Sequence, residues 1–279
     1  MNSSFFLGIT TFMYLFTMAL YFYYLFFRNK ILGIFIKITT IIGLLAHTTG
    51  LAMRWIESYQ LGYGHIPLSN MYEALVSLSW CTVLVLIVME RKYKSDILGV
   101  FVFPIISIAM AYASLSPSVR DEIEPLIPAL QSNWLTYHVI TCFLGYAAFA
   151  ISFGASLAYL IKNRKAKASS EESSGLLPDL NLLDEVIYKA NAVGFLLLGI
   201  GIITGAVWAN YAWGSYWSWD PKETWSLITW FIYATFLHAR LTRGWRGNKT
   251  AILSIIGFCG VLFTFLGVNY LLSGLHSYA

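Results

Sequence analysis

Long apolar runs alternate with short polar or aromatic intervals along almost the whole chain. Eight runs are predicted to span a membrane as helices, at roughly 5–27, 31–53, 69–89, 96–115, 134–161, 187–208, 224–242 and 250–272. About 20 predominantly apolar residues suffice for one such crossing. Residues 5–27 are too long for the apolar core of a typical signal peptide and no basic stretch precedes them, so they read as the first span. The most polar interval is 162–185, KNRKAKASSEESSGLLPDLNLLDE, which reads as a cytoplasmic loop with a short surface helix after Pro178. No internal repeat of the inverted-transporter kind is visible.

Composition agrees with this pattern. Of 279 residues, 58% are hydrophobic and 11% charged, against about a quarter charged in soluble domains. So few charges cannot cover a water-facing surface. The fold class expected is an all-α integral membrane protein, a single polytopic domain over 1–279 with about eight transmembrane helices.

The charges then orient the bundle. Of 18 Lys and Arg, only Arg54, Arg120 and Lys222 fall in one set of intervals. All others, from Arg28, Lys30 and Lys37 to Arg240, Arg243, Arg246 and Lys249, fall in the other set. By the positive-inside rule the second set faces the cytoplasm or its organellar equivalent. Both termini, the intervals 54–68, 116–133 and 209–223, and the tail 273–279 are then expected on the outer, periplasmic or lumenal, side. Nothing in this distribution calls for a nucleic-acid partner. Cys81, Cys142 and Cys259 lie in apolar runs without C-x-x-C spacing and read as small buried residues.

One outward interval is unusual. Residues 213–225, WGSYWSWDPKETW, bring together Trp213, Tyr216, Trp217, Trp219 and Trp225. An interfacial aromatic belt needs only one or two such residues per helix end. A broad aromatic platform for a large planar ligand accounts better for the cluster, because indole faces stack and indole N–H groups donate. Asp220 followed by Pro221 reads as a cap and first turn of the next helix, and Asp220 is also a candidate to orient the bound ligand.

This segment resembles the tryptophan-rich signature of the haem-handling proteins of cytochrome c biogenesis. Its form, W-G-x-Y-W-x-W-D-P-K-E-T-W, is similar to that of the CcsA/ResC family, the membrane subunit of the system II cytochrome c synthase. Arg54-Trp55, the stretch GHIPLSNMYE at 64–73 and the histidines around the signature carry the similarity from about residue 45 to the C-terminus. CcmC-like and CcmF-like relatives share the tryptophan-rich core but differ after the aspartate.

The resemblance gives the histidines expected roles. His138, about one turn inside the outer end of the fifth span, and His276, in the outer tail, are implied to be the axial ligands of an outer haem. Alone, His138 reads equally as an interfacial histidine on a carbonyl and His276 as a tail residue. His238 lies about fourteen residues into the seventh span, roughly 20 Å deep, where an ionisable side chain is a functional candidate. The resemblance implies that it ligates an inner transmembrane haem whose other ligand comes from a second subunit. His47 and His65 receive no ligand role. Arg54, Arg120 and Lys222 are candidate partners of haem propionates, with a solvated loop charge or ion pairs to Glu57, Glu73 or Glu223 as the alternative.

The implied activity is outward carriage of haem and its presentation for thioether attachment to the C-x-x-C-H motif of apocytochrome c. As an enzyme the chain would act only within a complex, a holocytochrome c synthase of haem-lyase type. Implied partners are a CcsB/ResB-like membrane subunit, apocytochrome c, a thioredoxin-like thiol reductant and membrane lipid. The cofactor would be haem b, held non-covalently, since the chain has no C-x-x-C-H of its own. The location implied is a bacterial inner membrane or a thylakoid membrane. A haem exporter without ligation activity and a b-type electron-transfer subunit remain the alternatives.

Overall fold

In the computed structural model, residues 2–27, 29–168 and 177–272 are described. His276 and the rest of the tail, and residues 169–176 of the polar interval, lie outside the described residues.

Among the described residues there are eight long helices and no strand. They are α1 (Ser3–Phe27), α2 (Lys30–Gln60), α3 (Met71–Tyr93), α4 (Leu98–Leu115), α5 (Asn133–Ala168), α6 (Leu180–Trp213), α7 (Pro221–Thr242) and α8 (Asn248–Leu271). Seven are long and apolar enough to cross a membrane; α7 is absent from that set. Its 22 residues suffice in length, but Lys222, Glu223, His238 and Arg240 dilute its apolar stretch.

Several helices outrun their predicted spans. Helix α5 continues to Ala168 and α6 starts at Leu180, so much of the expected 162–185 loop is helical. The short surface helix expected after Pro178 is the first turn of α6, capped by Asp179, whose carboxylate accepts from the Asn181 amide. Lys162 Nζ bonds the carbonyls of Leu177 and Pro178 at 3.1 and 2.8 Å, linking the two helix ends. Hydropathy marks where a helix is apolar, whereas backbone hydrogen bonding carries it on into polar sequence.

The chain divides into two compact units, Met1–Gln131 and Ser132–Ala279. In the first, α1 buries Leu7, Tyr14 and Tyr21, spaced seven residues apart. They lie against Gly50 and Gly43 of α2 and Gly99 of α4, where no side chain would fit. His47 is buried here, its Nδ1 3.1 Å from the Tyr14 hydroxyl.

At one end of this unit a buried knot joins α2, α3 and the 116–132 interval. Arg54 Nε donates to Glu73 Oε1 at 2.7 Å, with both side chains buried. Its two terminal nitrogens donate to the carbonyls of Asp121 and Glu122 at 2.8 and 3.2 Å, and its guanidinium lies 4.9 Å from the Tyr72 ring centroid. The second Glu73 oxygen accepts from the Ser69 amide and hydroxyl. His65 is bracketed by the carbonyls of Ile66 and Glu124, each 3.0 Å from a ring nitrogen.

In the second unit α5 and α6 run antiparallel in tight register. Phe149, Cys142 and His138 of α5 lie against Gly194, Gly201 and Gly205 of α6. Between them, a side chain at Gly145 would meet the Gly194 carbonyl and the Leu198 amide, each at 3.2 Å. Small residues permit such backbone approach between membrane helices. Cys81 and Cys142 are buried as expected, whereas Cys259 is exposed. It occupies the open face of α8 with Ile252, Ile256 and Leu262, where a thiol serves as a small apolar group.

Candidate functional site

The tryptophan-rich segment is divided by the end of one helix and the start of the next. Trp213 is the last residue of α6, and Gly214 closes that helix in the left-handed conformation with φ +77°, its amide bonding the Asn210 carbonyl. The loop proper is therefore 214–220, shorter than the predicted 209–223. Asp220 then caps α7 and Pro221 opens it, as the sequence predicts.

Glu223 ties the loop down. Its Oε2 accepts from the Ser218 amide at 2.8 Å, the Ser218 hydroxyl at 3.3 Å and the Asp220 amide at 3.2 Å. Asp220 Oδ1 accepts in turn from the Lys222 amide at 2.9 Å. This reciprocal capping box satisfies amides that the first helical turn leaves without partners. Between these anchors Trp219 holds φ +59°, a left-handed backbone that costs a bulky residue about 1 kcal/mol or more. Thr224 Oγ1 donates to the Trp219 carbonyl at 3.2 Å.

The five aromatics do not form one slab. Trp217 and Trp219 meet edge to face with centroids 5.7 Å apart, and Trp219 is 69% exposed. Tyr216 is also exposed. Trp213 instead packs on Trp208 at 4.9 Å. Trp225 leans on Phe263 of α8 at 4.1 Å, beside a π-helical turn over Phe263–Gly267, a distortion often found at functional positions.

His138 reaches this assembly through Trp208. The imidazole and the buried Trp208 indole stack at 5.9 Å with 18° between planes. His138 Nδ1 lies 2.7 Å from the Gly201 carbonyl oxygen. A carbonyl can only accept, so Nδ1 carries the proton, and in the neutral ring the lone pair then sits on Nε2, the tautomer a metal-ligating histidine needs. Cys142 Sγ is 3.7 Å from Nδ1. Lys222, just ahead of the apolar stretch of α7, is pushed down to about 8 by burial, with Asp220 and Cys142 as the ionisable groups acting on it.

His238 is exposed on α7, in a stripe with Ile228, Phe231 and Thr235 spaced three and four residues apart. Arg54 belongs to the knot of the first unit, and Glu73 is the ion-pair partner it takes among the alternatives. Arg120 is exposed. Trp208, Gly201 and Gly205 were not singled out from the sequence. Trp208 sits at the edge of a span where one tryptophan is ordinary, and the G-x-x-x-G spacing of 201 and 205 was the available signal.

The fold defines an all-helical integral membrane protein. The profile of the family described as "Cytochrome C assembly protein" matches residues 68–276. The cytochrome c biogenesis protein CcsA of Gloeobacter violaceus is 40% identical, over 85% of this chain and 84% of that one. CcsA of Pyropia yezoensis is 41% identical over 87% of each chain. CcsA of Chlamydomonas reinhardtii is 43% identical over 82% of this chain and 64% of its own. Among solved structures, the cytochrome c heme lyase CcmF aligns with a TM-score of 0.67 over 95% of this chain at 17% identity. This chain spans about half the length of that structure, covering 47% of it, and the likeness concerns the fold.

The chain belongs to the cytochrome c assembly protein family, in its CcsA branch. It is accordingly an integral membrane protein of a bacterial or thylakoid membrane.

Proposed function

We propose that this chain carries haem b outward through its membrane and presents it on the tryptophan-rich loop for attachment to apocytochrome c. The observation that carries this reading is the seat of His138. A histidine held in the Nδ1–H tautomer by Gly201 stacks on a tryptophan that continues, through Trp213, to the loop bearing half-buried Trp217 and exposed Trp219.

The residues suit haem as cargo. His138 offers Nε2 to the iron from one side, and His276 is assigned the other. Exposed Trp219 and Tyr216 and half-buried Trp217 offer aromatic surface to the macrocycle, with Trp213 and Trp225 as the flanking walls. Asp220 and Glu223 hold the loop's backbone in place. Lys222 offers a cation for a propionate; Arg54 has its nitrogens engaged in the knot and is left out of this role. The haem supplies vinyl groups to which the thiols of a C-x-x-C-H segment add, while the protein positions and ligates. Both termini and the loop are assigned to the outer side on the charge distribution.

His238 is assigned to an inner haem. An exposed imidazole on a membrane helix needs a partner, which supports a second ligand from a CcsB/ResB-like subunit. Apocytochrome c and a thioredoxin-like thiol reductant complete the proposed partners.

The test is co-expression with that subunit, purification and absorption spectra of bound haem. His138→Ala, His276→Ala and His238→Ala should each lose haem or change its spectrum, and cytochrome maturation should fall. Unchanged spectra and maturation in all three would refute the ligand assignment.

A further inference from the structure

We propose that Gly201 and Gly205 of α6 are positioning residues that set the tautomer, plane and donor strength of the His138 imidazole. This rests on the reading of His138 as an iron ligand and extends it to residues outside the tryptophan-rich signature.

The two glycines lie one helical turn apart and do different things. At Gly205 a methyl group would lie 2.6 Å from His138 Nδ1 and 2.8 Å from Cε1. Contacts that short do not occur, so the missing side chain is the space the ring occupies. At Gly201 a methyl group would lie 2.5 Å from Cys142 Sγ. Its absence lets α5 approach until the Gly201 carbonyl accepts the Nδ1 proton at 2.7 Å. The ring is thus bounded by Gly205, hydrogen-bonded by Gly201 and stacked on Trp208, all from α6.

An imidazole that donates through Nδ1 is a stronger base at Nε2, because the acceptor draws the proton away and returns electron density to the ring. A stronger axial donor favours ferric over ferrous iron and lowers the reduction potential. Any change that lifts the ring off the Gly201 carbonyl should therefore raise the potential and weaken retention. Loss of an outer partner of a metal-ligating histidine typically costs about tenfold or more in affinity.

The experiment uses the complex co-purified with its partner subunit. Bound haem is followed by absorption spectrum, retention and reduction potential in wild type, Gly205→Ala, His138→Gly and the double variant. Gly205→Ala is expected to raise the potential and lower retention. Free imidazole should restore haem to His138→Gly, and in that background Gly205→Ala should have no further effect, because the rescuing ring is not tethered to α5. Gly199→Ala is the control on the same helix. A side chain there faces Trp230 Nε1 at 3.1 Å, and the potential should not move.

If Gly205→Ala leaves potential and retention unchanged while His138→Gly loses haem, the positioning role is wrong and the ligand reading stands. If His138→Gly keeps the native spectrum without imidazole, the ligand reading falls, and the positioning role with it. Should Gly205→Ala fail to accumulate, the double variant decides. Recovery on removing the His138 ring supports the proposal; continued failure means the helix itself rejects the methyl group, and overturns it.

Discussion

Glu73 and Glu223 occupy the same place in two helices and are put to opposite ends. Each is the third residue of its helix, after a capping Asn70 or Asp220, and each accepts from the amide and hydroxyl of a preceding serine. Glu73 also takes a buried arginine, whose remaining nitrogens bind a second loop, and both side chains are shut away from the surface. Glu223 spends its bonds on loop backbone while that loop turns Trp219 and Tyr216 outward. One local device thus closes a surface in the first unit and displays one in the second. A polar residue's neighbours decide which, since the local motif is nearly the same.

Four experiments can break or sharpen this contrast. The largest effect is expected from Arg54→Leu, which strands the buried Glu73 carboxylate and should destabilise by about 3–5 kcal/mol. Thermal unfolding in detergent would show it, and a loss under 1 kcal/mol would mean the knot is not a structural lock. Glu223→Ala should cost about 1–2 kcal/mol, as for other lost caps, yet reduce haem retention more than its stability loss explains. Equal loss of both would place Glu223 with Glu73.

The third experiment is a titration. A charged Lys222 attracts a propionate and a neutral one does not. Its ammonium is present below about 8 and is lost as pH rises through that value, so haem affinity should fall over that window. Lys222→Met should be weaker at low pH and lack the step; an identical pH profile would remove Lys222 from the site. The smallest effect concerns Trp219→Gly. Relief of the left-handed backbone should leave stability unchanged or raise it by up to about 1 kcal/mol, while retention falls. Retained haem would show that the strained tryptophan does not touch the cargo.

Much of this was readable in the chain. Apolar run length located the eight helices, and seven of them have the length and apolarity a bilayer demands whatever the packing. Helix ends were misplaced where α5 and α6 continue through polar residues that cost nothing outside the membrane. The loop from Trp213 to Trp225 and the caps at Asp220 and Pro221 were readable because they are local. The split of its aromatics was not: Trp225 turns to Phe263 and Trp213 to Trp208 through contacts set by helix packing. The seat of His138 stayed hidden for the same reason, since it joins residues 138, 201, 205 and 208 through the α5–α6 register. Arg54 and Glu73 could be named as possible partners, but only the fold shows how fully they are consumed.

Helix α7 has a geometric consequence for transport. It begins at the tryptophan-rich loop, ends just past His238, and has no glycine or proline after Pro221. Seventeen residues separate Pro221 from His238, about 25 Å of rise, and no flexible joint lets that length contract. In the proposed reading α7 is a ruler between two haem stations. They stand too far apart to grip one macrocycle together, so the cargo must let go of the first before the second can take hold.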